Sequence, residues 1–173
     1  MSVLPSSVFL VVMGVAGCGK SSLGCALAQA EGLPLIEGDD HHSLASREKM
    51  RQGIALTDAD REGWLATLGQ LLQTHPQGVV LTCSALKKVY RDRLRHACPG
   101  LRFVFLEIDR ATAGQRVAAR AGTHFFSTAL VDSQFATLES PAGEPGVLRL
   151  DALLDLPTLQ QQASVWLATK EAA

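Results

Sequence analysis

Val8 to Met13 is an unbroken apolar run rich in β-branched residues, and Gly14-Val15-Ala16-Gly17-Cys18-Gly19-Lys20-Ser21 follows it directly. A run without polar alternation fits a strand covered on both faces, the place of a central strand in a parallel sheet. The octapeptide matches G-x-x-x-x-G-K-[ST] in full, between a strand and a helix-forming segment. Its glycines let the backbone curl so that N–H groups converge on phosphate oxygens, and the helix behind adds the positive end of its dipole. Gly14, Val15, Ala16, Gly17, Cys18, Gly19, Lys20, Ser21 and Ser22 are therefore expected to hold the phosphates of a nucleotide. Lys20 is expected to reach the β- and γ-phosphates, and the Ser21 hydroxyl to ligate Mg²⁺. The motif indicates a nucleoside triphosphate and leaves the reaction open.

Around this unit, further strands are expected at 33–37, 79–83, 102–108 and 147–150. Helices are expected at 21–31, 58–74, 88–97, 111–120 and 158–169. Trp64, Leu65, Leu68, Leu71 and Leu72 recur at helical spacing. Strands alternating with helices imply right-handed βαβ units and a mainly parallel five-stranded sheet flanked by helices, an α/β fold. At 173 residues the chain reads as one domain, 1–173. The loop 140–146, with two prolines and two glycines, has too little chain after it to be a domain linker.

A formal net charge of −1, from 16 Lys and Arg against 17 Asp and Glu, argues against a protein that grips nucleic acid or an anionic membrane. Residues 1–19 carry no Lys or Arg, so the apolar run lacks the charged lead of a secretory signal. It is also too short to span a bilayer. A soluble, cytoplasmic protein is expected. Cys18, Cys25, Cys83 and Cys98 form no C-x-x-C pair and are expected as free thiols.

The second strand ends in Glu37-Gly38-Asp39-Asp40-His41-His42. Ligands of parallel α/β folds bind beyond the carboxyl ends of the strands, so this cluster is expected to face the γ-phosphate. A transition-metal site at Asp39, His41 and His42 is a weaker alternative, because adjacent residues point different ways. Lys87, Lys88, Arg91 and Arg95 form a basic run just after another strand end. Lys87 is expected to be functional there, and Arg95 to lie on the surface.

Three blocks of residues carry a family resemblance. The first is Gly38-Asp39, His42, Lys49-Met50, Gly53, Leu56, Asp58, Asp60, Arg61 and Trp64-Leu65. The second is Cys83-Ser84-Ala85-Leu86-Lys87-Lys88, with Tyr90-Arg91-Asp92 and Leu94-Arg95. The third is Arg116, Arg120, His124-Phe125-Phe126, Ser133-Gln134-Phe135, Leu138-Glu139 and Pro141. In this order and spacing, to about residue 141, the chain resembles the gluconokinase family of small P-loop kinases. It departs from the pattern at Ser43, where proline is usual, at Ser46, where asparagine is usual, and by one extra residue between Arg120 and His124.

The resemblance implies ATP-dependent phosphorylation of the terminal hydroxyl of D-gluconate, with ATP and Mg²⁺ bound, a mobile lid over about 116–141, and a homodimer. Lys20, Asp39, Arg116 and Arg120 are the expected catalytic residues, the two arginines neutralising the transferred phosphoryl group. Asp39 either accepts the hydroxyl proton or stands behind the metal ion. Asp39, His42, Lys49, Arg61, Lys87, Arg91, His124 and Gln134 are expected around the sugar acid, with Lys87 and Arg61 on its carboxylate. A shikimate or adenylylsulfate kinase is the nearest rival, and the Cys83–Lys88 block speaks against the shikimate kinases. A guanine-nucleotide switch should carry N-K-x-D, which this chain lacks.

Overall fold

The computed structural model describes residues 7–120 and 128–169. The elements run β1 (Val8–Met13), α1 (Lys20–Glu31), β2 (Leu35–Glu37), a 3₁₀ turn (Gly38–His41), α2 (Leu44–Arg51), α3 (Asp58–Gln73), β3 (Gly78–Thr82), α4 (Lys88–Ala97), β4 (Arg102–Glu107), α5 (Arg110–Ala119), α6 (Thr128–Thr137), β5 (Val147–Asp151) and α7 (Leu156–Ala168). The sheet order is β2-β3-β1-β4-β5, and every neighbouring pair is parallel. The chain leaves β1 toward one edge and crosses to the other after β3, so the loop after β1 lies at the switch point where such sheets bind ligands.

The unbroken apolar run of β1 is explained by burial on both faces. Leu10 and Val12 pack in a core with α1 and α7, while Val11 and Met13 pack with Trp64, Leu68 and Leu72 of α3 and Leu94 of α4. The second strand begins later than its sequence suggests. Pro34 has no N–H to give the ladder, although its carbonyl accepts from Val80.

Two helices escape a reading by hydrophobic period. Helix α2 is short and mostly polar, and its N-terminus is fixed by the Ser43 hydroxyl accepting the Ser46 N–H at 3.0 Å. The serine in place of proline is thus a helix cap. Helix α6 carries Leu130 into a small cluster with Met50 and Leu56, joining it to the α2–α3 side of the molecule. Helix α3 starts with a capping box, Thr57 and Asp60 exchanging side-chain and backbone bonds. The Thr57 N–H, followed by Lys49, holds the Asp60 carboxyl down at about 2. Among the described residues, no helix is long and apolar enough to cross a membrane.

Candidate active site

The carboxyl ends of β1, β2 and β3 converge on one cleft. At the end of β1, Gly14 has φ +148°, and a Cβ there would lie 2.7 Å from Cys18 Sγ and 2.9 Å from the Leu106 carbonyl oxygen. Only glycine lets the chain turn so close to β4. The curl that follows leads through Gly19 into α1. The Lys20 ammonium lies across the loop and donates to the carbonyls of Gly14 and Val15, both at 3.1 Å. The Ala16 N–H is taken by Gln134 Oε1 from α6, at 2.7 Å.

At the end of β2, Glu37 joins the loop to β3. Its Oε2 accepts from the Ser21 hydroxyl at 3.0 Å and from the Thr82 hydroxyl at 2.5 Å. Gly38 is buried beneath it, with no room for a Cβ against the Thr82 carbonyl. Its own carbonyl accepts from the Trp64 indole at 2.8 Å. This close seat turns Asp39 out into the cleft, 62% exposed. The His42 ring stacks on Trp64 at 4.2 Å and 18°, with Nε2 3.7 Å from Asp39 Oδ1. His42 Nδ1 is buried without a hydrogen-bond partner.

Lys20, Ser21, Asp39, His42, Arg61, Ser84, Arg120 and Gln134 form the polar wall of this cleft, and Met50, Leu56, Trp64 and Leu130 the apolar one. A second hollow lies on the other side of the phosphate loop, lined by Cys18, Arg116, Ala152, Leu154, Leu156 and Leu159. Gly19, Ser22 and Arg120 line both, so the hollow and the cleft adjoin at these residues.

A family model described as an AAA domain matches residues 9–142. A gluconokinase of Gluconobacter oxydans (strain 621H) is 43% identical over 145 residues, covering 82% of this chain and 81% of its own. The thermosensitive gluconokinase of Escherichia coli (strain K12) is 40% identical over 157 residues, covering 88% and 83%. The crystal structure of a gluconokinase from Sinorhizobium meliloti 1021 superposes with a TM-score of 0.86 at 44% identity, covering 94% of this chain and 93% of that one. The chain belongs to the gluconokinase family. It is an enzyme, a kinase built on a phosphate loop.

Against that membership, the residues expected in the site divide into two groups. Lys20, Ser21, Asp39, His42, Arg61, Arg120 and Gln134 line the cleft. Lys49, Lys87, Arg91 and Arg116 do not, and each has a partner elsewhere. Lys49 holds both Asp60 oxygens at 2.9 Å and ties α2 to α3. Lys87 pairs with Asp58 at 2.9 Å, beside the Tyr90 ring. Tyr90, then Lys87, lower the Asp58 carboxyl from its ordinary value. Arg116 donates to the carbonyls of Gly17 and Ala152, both at 3.2 Å, on the hollow side of the loop. His124 lies outside the described residues.

Arg91 departs furthest from expectation. It is 1% exposed and points away from solvent. Its guanidinium donates to the carbonyls of Ala85, Leu86 and Glu139 and pairs with Glu144 at 2.9 Å. These bonds fasten the strained turn at Ala85, with φ 47°, to the segment that follows α6. Arg95 is likewise engaged, with Asp92, Glu144 and the Phe103 ring, rather than free on the surface. Arg91→Ala should cost about 3 kcal/mol by denaturant unfolding, because Glu144 and three carbonyls lose their partner together. Arg91→Lys should recover little, since an ammonium cannot reproduce the planar fork. A variant of unchanged stability would contradict this reading.

Within the acidic cluster, no spacing rule marks Glu37 as the residue that bridges the Ser21 and Thr82 hydroxyls. The available signal is position: Glu37 is the last residue of β2, at the strand end where parallel sheets bind ligands. Asp39, His41 and His42 are not part of any cluster of three metal-ligating side chains among the described residues. Burial pushes the Cys83 thiol up to about 12, which keeps it an inert core group.

Proposed function

We infer that the protein transfers the γ-phosphoryl group of ATP to the 6-hydroxyl of D-gluconate, giving 6-phosphogluconate and ADP in the cytoplasm. The observation that carries this reading is one cleft with a phosphate loop at one side and Asp39, His42 and Arg61 on its walls. The gluconokinases that match most of the chain supply the acceptor. In this reading the base of the nucleotide lies in the hollow near Arg116, Ala152 and Leu154, and its phosphates cross the loop into the cleft.

Asp39 takes the proton of the acceptor hydroxyl as that oxygen bonds to the γ-phosphorus. The bond from phosphorus to the bridging oxygen breaks, and ADP leaves with its electron pair. Lys20 gives up its two loop carbonyls and follows the β- and γ-phosphates. Arg120, at the junction of hollow and cleft, balances charge on the transferred group. His42 offers its unsatisfied Nδ1 to a hydroxyl of the polyol. Arg61, whose Nη1 donates to the Leu56 carbonyl at 2.7 Å and the Tyr90 hydroxyl at 3.3 Å, holds the carboxylate with the rest of its guanidinium, while the Lys87 ammonium is neutralised by Asp58.

The Ser21 hydroxyl and the Glu37 carboxylate are adjacent hard oxygens, a donor set that suits Mg²⁺ with its remaining positions filled by water and phosphate. When bound, the ion offsets negative charge on the β- and γ-phosphate oxygens.

Arg61→Ala tests the acceptor side. A charge-assisted bond worth about 1.5–3 kcal/mol is lost, so KM for gluconate should rise about 10- to 150-fold. KM for ATP should move by less than about threefold, well below the loss of one such bond. Steady-state kinetics with sorbitol, which lacks the carboxylate, provides the control. Equal rises for ATP and gluconate would remove Arg61 from the carboxylate.

A further inference from the structure

Gln134 couples α6 to the phosphate loop in a way that the phosphoryl-transfer reading does not use. Its Oε1 sits on the Ala16 N–H at 2.7 Å, across 118 residues of chain. Backbone N–H groups of such a loop are the donors that phosphate oxygens require. Ala16 lies four residues ahead of Lys20, away from the start of α1, where the inner phosphates are held. In the kinase reading, its N–H is the one left for the outer, transferable phosphate. A triphosphate that uses it must displace the carboxamide oxygen.

The backbone carrying Gln134 is fastened on both sides. Leu130 packs with Met50 and Leu56, and Phe135 packs on the core with Arg110 over its ring at 5.6 Å. Just beyond, the Glu139 N–H donates to the Leu86 carbonyl at 2.8 Å, and its carboxylate accepts from the Lys88 N–H at 3.2 Å. With the helix held, the adaptable part is the carboxamide. It carries an acceptor and a donor on one rotatable bond, so it can exchange one for the other without moving α6.

We propose that Gln134 distinguishes the triphosphate from the diphosphate. When a terminal phosphoryl oxygen takes the Ala16 N–H, the carboxamide turns over and donates from Nε2 to that phosphoryl group. Once the phosphoryl has gone to the acceptor, Oε1 returns to Ala16 and ADP is left with no contact to Gln134. The proposal rests on the reading of the protein as an ATP-dependent kinase, and it moves Gln134 from the sugar acid to the nucleotide.

Calorimetric titration of ADP and of β,γ-imido-ATP, each with Mg²⁺, into wild type, Gln134→Glu and Gln134→Leu tests it without turnover. Gln134→Glu keeps the bond to Ala16 but cannot donate, and Gln134→Leu can do neither. Both should bind ADP within about twofold of wild type and the triphosphate analogue about 10- to 100-fold more weakly, the scale of one hydrogen bond to a charged group. Gln134→Glu should show the larger loss, because its charge meets that of the phosphate. Equal losses for the two nucleotides would overturn the proposal and make Gln134 a structural latch. Unchanged nucleotide binding with a raised KM for gluconate would also overturn it, returning Gln134 to the substrate. A wild type that binds neither nucleotide overturns the kinase reading itself, and the proposal with it.

Discussion

Lys20→Ala is expected to lower kcat by about 10³-fold at saturating ATP, the upper end for removing one preorganised charge from a transferred group. The fold should survive. Lys20 belongs to none of the buried apolar clusters, and what its ammonium gives the resting fold is two hydrogen bonds to the Gly14 and Val15 carbonyls. A coupled ADP-release assay measures the first part, and thermal unfolding, with Tm shifted by no more than a few degrees, the second. Near-normal turnover in this variant would remove the phosphate loop from the chemistry.

Asp39→Asn is expected to lower kcat by about 10²–10⁴-fold, the range for loss of a general base, with KM for gluconate changed by less than about threefold. The amide preserves size and most hydrogen bonding but accepts no proton. The exposed setting of Asp39 makes the change mild for stability, whereas its neighbour Gly38 has no space for any side chain. Single-turnover kinetics separates this effect from product release. An unchanged kcat would contradict the assignment. A loss reversed by raising Mg²⁺ would instead move Asp39 to the metal, beside Glu37 and Ser21.

How far these residues could be read from sequence depended on where their partners lie. The phosphate loop and β1 are local: eight consecutive residues and a two-sided apolar strand specify each other. Asp39 was legible because a parallel sheet delivers every strand end to the same edge. The basic residues were harder to read. A lysine or arginine beside a strand end looks available for an anion until its acid is found, and those acids come from far along the chain. Lys87 meets Asp58, and Arg91 meets Glu144. Nothing local marks either pairing. Helix α2 is not legible in the sequence, because its cap, Ser43, precedes a segment with too few apolar residues to show a period. Helix α6 is not legible either, because its buried residues Leu130 and Val131 are adjacent and show no helical spacing. Ser43 nevertheless shows that a departure from a family pattern can preserve a local structure by another route.

In the proposed reading the cleft combines a triphosphate site with an acceptor site, so the central claim is best tested by what the wild-type enzyme does with different acceptors. ADP release should be followed with D-gluconate, with other aldonates, with shikimate, with adenylylsulfate and with no acceptor, at one fixed concentration of ATP and Mg²⁺. The account predicts release with gluconate at least about 100-fold above shikimate, adenylylsulfate and the acceptor-free control, as expected of a site that hydrogen-bonds its substrate. Release that is equal with and without gluconate, or faster with shikimate or adenylylsulfate, would contradict it.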